Sequence, residues 1–346
     1  MLGLDRRTLE VAWTLFLFLL LLGTIYTVRH TLMIFTLALF VSQLLAPVVK
    51  FAERFVPRRV PRSVVLTLVY VALLAVLVAA LIPVFSRIAE QAAVLASRLP
   101  GAIQQEDPLG HIPMPAWLEP LRPKINQIIR DRAGDLEEQV LPLLSSAGSQ
   151  VLSGIGNLLS VILIPILSFF FLKDGAAMQE AIVESVDARR RGLVDDIFSD
   201  LHVLLAQYIR SLVILAVAAF LFYLGFLSMA GVPYAILLAG IAAVLEFIPV
   251  VGPLIGAVVI VCVAAFAGYQ HLLWIVLFLV LYRIFQDYVL NPYLMSAGVA
   301  IHPMLVLFGV LAGEQLAGIP GMFFSVPVIA GLRVILVRLR RRRRAA

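Results

Sequence analysis

The chain has 346 residues, of which 62% are hydrophobic and only 14% charged, and its mean hydropathy is +1.02. Soluble chains carry about half apolar and about a quarter charged residues, so this balance excludes an ordinary water-soluble domain and points to lipid as the solvent. The basic pI of 9.7 is not the signature of a nucleic-acid surface, because removing Arg333, Arg338 and Arg340 to Arg344 alone would take the formal charge from +6 to −1. A basic run directly after an apolar helix marks the cytoplasmic face and binds anionic lipid head groups. With one cysteine, Cys262, the chain has no intrachain disulfide framework and no cysteine metal cluster.

A spanning helix needs about 20 mostly apolar residues, because it rises 1.5 Å per residue through a hydrocarbon layer of roughly 30 Å. The first such runs are 11–28, 31–49 and 63–85. The first lacks a small-residue cleavage site and reads as a retained helix rather than a signal peptide. Lys50, Arg54, Arg58, Arg59 and Arg62 stand between the second and third runs against one acid, Glu53. That loop belongs in the cytoplasm, together with the N-terminus bearing Arg6 and Arg7.

From Ser86 to Gln150 the chain turns polar, with six prolines from Pro100 to Pro123 and more acids than bases. This segment, 86–150, reads as a small extracytoplasmic helical module, in which Ile125, Ile128, Ile129, Leu136, Val140 and Leu144 recur at helical spacing. A fourth span follows at 151–172, then a charged, helix-compatible cytoplasmic segment at 173–207.

The C-terminal membrane domain, 208–337, contains apolar runs at 209–229, 234–266, 272–290, 304–317 and 322–337, and the basic tail is 338–346. The second run is too long for one straight helix and is interrupted by Pro249, Gly252 and Pro253; the last two are short and separated by Gly313, Gly318, Pro320 and Gly321. Gly- and Pro-interrupted apolar segments mark broken or re-entrant helices, which survive only where protein or a water-filled cavity satisfies their backbone. The expected fold is an all-α polytopic membrane protein of about eight transmembrane helices, with one or two re-entrant segments and both termini inside.

Ionisable groups within spans are costly and therefore functional candidates. Glu246, Arg283, Asp287 and Glu314 stand out, with Gln286 and Asn291 close by. Arg283 and Asp287, at i and i+4, share a helical face and can pair. Glu246 immediately precedes the Phe247-to-Pro253 break, where a carboxylate can bind a cation, carry a proton or cap the hairpin through backbone N–H groups. Gly252 with Gly256, and Gly309 with Gly313, have the spacing that lets helices approach closely. No GxxxxGK[ST] loop or HExxH motif is present, and the five histidines are scattered. No cofactor, metal or catalytic set is expected, and His302-Pro303 reads as a helix start.

Several ordered pieces make the C-terminal half recognisable. They are Pro165 through Gly175, Tyr208-Ile209-Arg210, Gly231 through Tyr234, Glu246 through Pro253, Gln286-Asp287 with Asn291-Pro292, His302-Pro303, Gly318 through Met322, and Val326-Pro327. From about Leu163 to Leu336 the chain resembles the AI-2E family of bacterial membrane proteins. The resemblance implies a transporter of about eight spans in the cytoplasmic (inner) membrane, forming a homo-oligomer. Some members are linked to export of autoinducer-2 and others to sodium/proton antiport. Four positions depart from the family's usual pattern: Ser211-Leu212 replaces a frequent Gly-Gln pair, Asp287 a frequent Glu, and Glu314 a frequent Gly.

The leading expectation is a secondary transporter exporting a small polar solute, with the segments around Pro249 and Pro320 lining the path and Glu246 or Asp287 carrying the coupling ion. A cation/proton antiporter using the same carboxylates is the alternative. A non-transporting membrane scaffold is a third, and it would tolerate neutralisation of either acid.

Overall fold

The computed structural model describes residues 6–55, 61–103, 110, 119–131, 158–295 and 301–345. The helices are α1 (Arg6–Thr27), α2 (Arg29–Glu53), α3 (Arg62–Ile103), α4 (Arg122–Asp131, after a 3-10 turn at Glu119–Leu121), α5 (Leu158–Glu184) and α6 (Arg191–Met229). Then come α7 (Ala235–Leu245), α8 (Val251–Phe266), α9 (Leu272–Phe285), a π-helical turn at Gln286–Leu290, α10 (Asn291–Met295) and α11 (Pro303–Ala345). Among the described residues there is no strand, and seven helices are long and apolar enough to cross a membrane. The protein is an all-α polytopic membrane protein. Arg58 and Arg59, the prolines at 108, 113 and 115, and the stripe positions Leu136, Val140 and Leu144 lie outside the described residues.

The change of character at Ser86 falls inside α3, not at its end. The helix runs on through Pro83 and Pro100 to Ile103, and its polar-flanked second half packs beside α7. Ala92 and Leu95 are buried there with Leu237. Gln91 Oε1 accepts the Leu237 N–H at 2.9 Å, satisfying one of the donors that a helix N-terminus leaves free.

The long apolar run at 234–266 is a helical hairpin. Its arms, α7 and α8, are 11 and 16 residues long, so α7 covers only about 16 Å at 1.5 Å per residue, half of a bilayer core. Glu246 to Val250 form the tip. Pro253 sits in the first turn of α8, where a missing N–H breaks no intrahelical bond. A Cβ on Gly252 would fall 1.8 Å from the Leu245 carbonyl oxygen, so only glycine lets the arms close there. The hairpin is apolar on every side and packs against α6, with Leu227, Leu238, Ile260 and Ile275 fully buried.

The α11 segment is a second hairpin. Its backbone leaves helical geometry at Ala317 and Gly318, dividing it into arms 303–316 and 319–345. Gly313 and Gly321 face each other so closely that a Cβ on Gly321 would lie 1.9 Å from the Gly313 carbonyl oxygen. Gly309 faces Ser325 and Ile329 in the same antiparallel register. The second arm runs beside the first half of α6: Gly331 meets Leu201, and Arg338 pairs with Asp196 and Asp200.

The hairpins therefore approach from opposite ends of α6. The first descends from the Met229 end and the second rises from the Arg191 end. They meet through rings: Phe323 lies 5.7 Å from Phe247 at the first tip and 5.4 Å from Phe40 of α2. On the other side of the bundle, Tyr70 of α3 donates to the Pro165 carbonyl of α5 at 2.7 Å and sits 2.5 Å from the fully buried Ser168 hydroxyl.

Candidate functional site

The first hairpin delivers Glu246 to the interior. Its side chain is 6% exposed, and Oε2 accepts a 2.7 Å bond from Gln286 Nε2, itself 2% exposed. Among the described residues no backbone N–H donates to this carboxylate, so its partner is a side chain on another helix and not its own hairpin. Gln286 opens the π-helical turn. Such wide turns recur at functional sites, where the extra residue re-aims the side chains that follow.

The same turn organises a polar row. Arg283 Nε donates to Asp287 Oδ2 at 2.8 Å, and Asn291 Nδ2 donates to Asp287 Oδ1 at 3.1 Å. The i,i+4 pair anticipated from spacing is thus present, with side chains 43% and 39% exposed. Asp287 orients two neighbours that face the interior, while its own carboxylate stays at the outer side of the row.

A cavity of about 560 Å³ lies against these groups. Glu246, Pro249 and Val250 of the first tip, Pro253 of α8, Arg283, Gln286 and Asn291 of the polar row, Tyr208 and Ser211 of α6, and Val326 and Pro327 of the second hairpin all line it. That volume is in the range of small-molecule sites, typically 300–1,000 Å³. The far end of the cavity reaches Asp200 on the charged part of α6. Val250, at the tip, holds φ at 67°, a left-handed geometry that is strained for a β-branched residue and that clusters at ligand clamps.

Glu246, Arg283, Gln286, Asn291, Pro249 and Pro253 come together around one space. Glu314 does not join them; it is exposed near the tip of the second hairpin. Gly252, Gly318 and Gly321 shape the two hairpins rather than the cavity wall, and Pro320 follows the second bend. The sequence reading missed two contributors. The Tyr208 hydroxyl is buried with no partner among the described residues and belongs to a side chain lining the cavity. Ser211 Oγ donates to the Leu294 carbonyl at 2.9 Å, tying α6 to α10. Their motif position was visible, but a tyrosine and a serine in an apolar helix carry no charge signal. Among the described residues no cluster of His, Cys, Asp and Glu could hold a metal ion.

Two opposed helical hairpins enclosing a carboxylate-bearing cavity in a polytopic bundle define the broken-helix class of membrane proteins, in which irregular backbone is placed where it lines a ligand space. The chain belongs to the AI-2E family, described as AI-2E family transporter, whose pattern it matches over residues 15–341. It is 29% identical over 237 residues to "Putative transport protein YrrI" of Bacillus subtilis (strain 168), covering 66% of this chain and 63% of that one. It is 28% identical over 202 residues to "Putative transport protein MJ1177" of Methanocaldococcus jannaschii, covering 57% and 59%. To "Putative permease PerM" of Escherichia coli (strain K12) it is 26% identical over 217 residues, covering 60% and 61%. The match thus spans somewhat less than two thirds of these relatives' own length.

Proposed function

We propose that the chain is a secondary transporter of the bacterial inner membrane that exports a small polar solute, of the autoinducer-2 kind, using an ion gradient. One observation carries this reading: Glu246, the buried carboxylate at a re-entrant tip, lines a solute-sized cavity held between two hairpins of opposite entry. A buried carboxylate in a membrane domain exchanges a proton or cation more readily than it keeps a bare charge. Its link to Gln286 gives that exchange a structural consequence, because an ionised Glu246 accepts from the Gln286 amide and a protonated one can turn to donate elsewhere.

Both termini lie in the cytoplasm in this reading. The cavity then extends toward the cytoplasmic end of α6, where Asp200 lies, which suits loading from inside and supports export. Tyr208, Gln286 and Asn291 offer hydroxyl and amide groups to a polar solute, and the apolar walls from Leu212, Val326 and Pro327 exclude bulk water. Alternating access moves one hairpin-bearing bundle against the rest around this site.

The test is solute counterflow in proteoliposomes, with autoinducer-2 and then sodium offered under an imposed pH gradient. Gradient-dependent solute movement that is lost in E246Q supports the reading. Sodium-for-proton exchange without solute movement would favour the antiporter, and transport unaffected by E246Q would remove Glu246 from the coupling step.

A further inference from the structure

A second recess, of about 660 Å³, lies between the end of α2 and the middle of α6. Its polar residues are Lys50, Arg210, Gln207, Ser211, Tyr293 and the pair Gln43 and His202, whose Nε2 and Nδ1 are 3.0 Å apart. Among the described residues no carboxylate lines it. Neither Lys50 nor Arg210 forms an ion pair among the described residues. This contrasts with Arg283 and Arg338, both matched by carboxylates of the chain. Two cations lining one recess in a lipid-facing bundle, with no carboxylate among the described residues in its wall, call for an anion from outside.

The walls say what kind of anion. Pro47, Val203 and Ile214 line the recess and are exposed themselves, so the space opens along an apolar flank instead of being sealed as a cage for a small ion. Lys50 lies in the last turn of α2, at the level of the arginine-bearing loop that positive-inside bias assigns to the cytoplasm. Basic pockets between membrane helices on that side bind phosphate head groups of anionic lipids.

We propose that this recess holds the head group of an anionic phospholipid of the cytoplasmic leaflet, with Lys50 and Arg210 as its counter-charges and the acyl chains along the exposed apolar flank. The recess shares Val203, Gln207 and Ser211 with the cavity beside Glu246. Leu294, whose carbonyl accepts from Ser211, is also in its wall. A lipid seated there braces the junction of α6 and α10 from outside.

Native mass spectrometry of the purified full chain, in micelles doped with phosphatidylglycerol or phosphatidylcholine, tests this. The wild type is expected to retain phosphatidylglycerol about tenfold more strongly. The K50Q/R210Q double variant falls to the phosphatidylcholine level, whereas K50R/R210K, with both charges kept, retains the preference. R341Q/R342Q also retains it, which separates the recess from the basic tail. Inorganic phosphate at millimolar concentration leaves the bound lipid in place. Undiminished preference in K50Q/R210Q overturns the proposal, as does loss confined to the tail variant. Loss in K50R/R210K contradicts recognition by charge, and displacement by inorganic phosphate makes the site one for free anions.

Discussion

Glu246 and Gln286, 40 positions apart, are joined by a buried 2.7 Å hydrogen bond that links the tip of the first hairpin to the π-helical turn. Replacing Gln286 by Leu strands a buried carboxylate. Leaving a buried polar group unsatisfied costs about 1–3 kcal/mol, and more for a charged one. In a double-mutant cycle, E246Q and Q286L should be non-additive in thermal stability by at least about 0.5 kcal/mol, as groups in direct contact are. Additive effects would show that the two side chains do not meet.

The second hairpin depends on Gly313 and Gly321, because a Cβ at Gly321 would fall 1.9 Å from the Gly313 carbonyl oxygen. Overpacking a tight contact costs typically 1–3 kcal/mol, and here the clash is with backbone, so G321V should lower the melting midpoint in detergent clearly. Gly225, within α6, has open space around it, and G225A should leave the midpoint unchanged or raise it slightly.

Tyr208 offers a different outcome. Its hydroxyl has no partner among the described residues, so Y208F removes no bond from the resting protein. Stability should stay within about 0.5 kcal/mol of wild type, the usual range for substitutions that touch no special feature. If the hydroxyl contacts the transported solute, its apparent affinity should fall about fivefold or more in the flux assay. Unchanged affinity would make the hydroxyl a bystander.

Arg338 ties the end of the second hairpin to the first turns of α6, donating from Nε to Asp200 at 2.6 Å and from Nη1 to Asp196 at 3.0 Å. Asp200 stands on the charged first half of α6, before the apolar stretch that begins at Tyr208. The hydrogen bond from Arg338 holds the Asp200 carboxyl below its ordinary value. A depressed carboxyl contributes stability that is present above about pH 4 and lost as pH falls through the lower folded value. Protease cleavage within 185–190 should therefore be unchanged from pH 8 to 5 in wild type. R338Q should be cleaved faster throughout that range; equal cleavage would show that the pair does not secure this end.

Much of this is legible in the residues alone. The glycines and prolines at 249–253 and 318–321 announced broken segments because their residue types resist straight helix, and both became hairpin tips or arms. The i,i+4 spacing of Arg283 and Asp287 gave their pairing for a local reason. The bond from Gln286 to Glu246 was not legible, since it depends on how two helices far apart in sequence are docked. Nor was the continuation of α3 past Phe85: its polar second half lost the hydropathy signal but kept Ala92 and Leu95 on one face for α7. Asp287 and Glu246 read alike as charges in apolar sequence. Only their surroundings separate them, one bound to Arg283 and Asn291 at the outer side of the polar row and the other facing the cavity.

The most direct test of the central claim is proton-gradient-driven flux in oriented proteoliposomes, comparing wild type with E246Q, a substitution that keeps size and hydrogen-bonding capacity but cannot ionise. The account predicts that E246Q folds, melts close to wild type and loses gradient-driven flux at least about tenfold, while passive exchange of the solute persists. Full gradient-driven flux through folded E246Q would contradict a coupling role for this carboxylate and with it the mechanism proposed here.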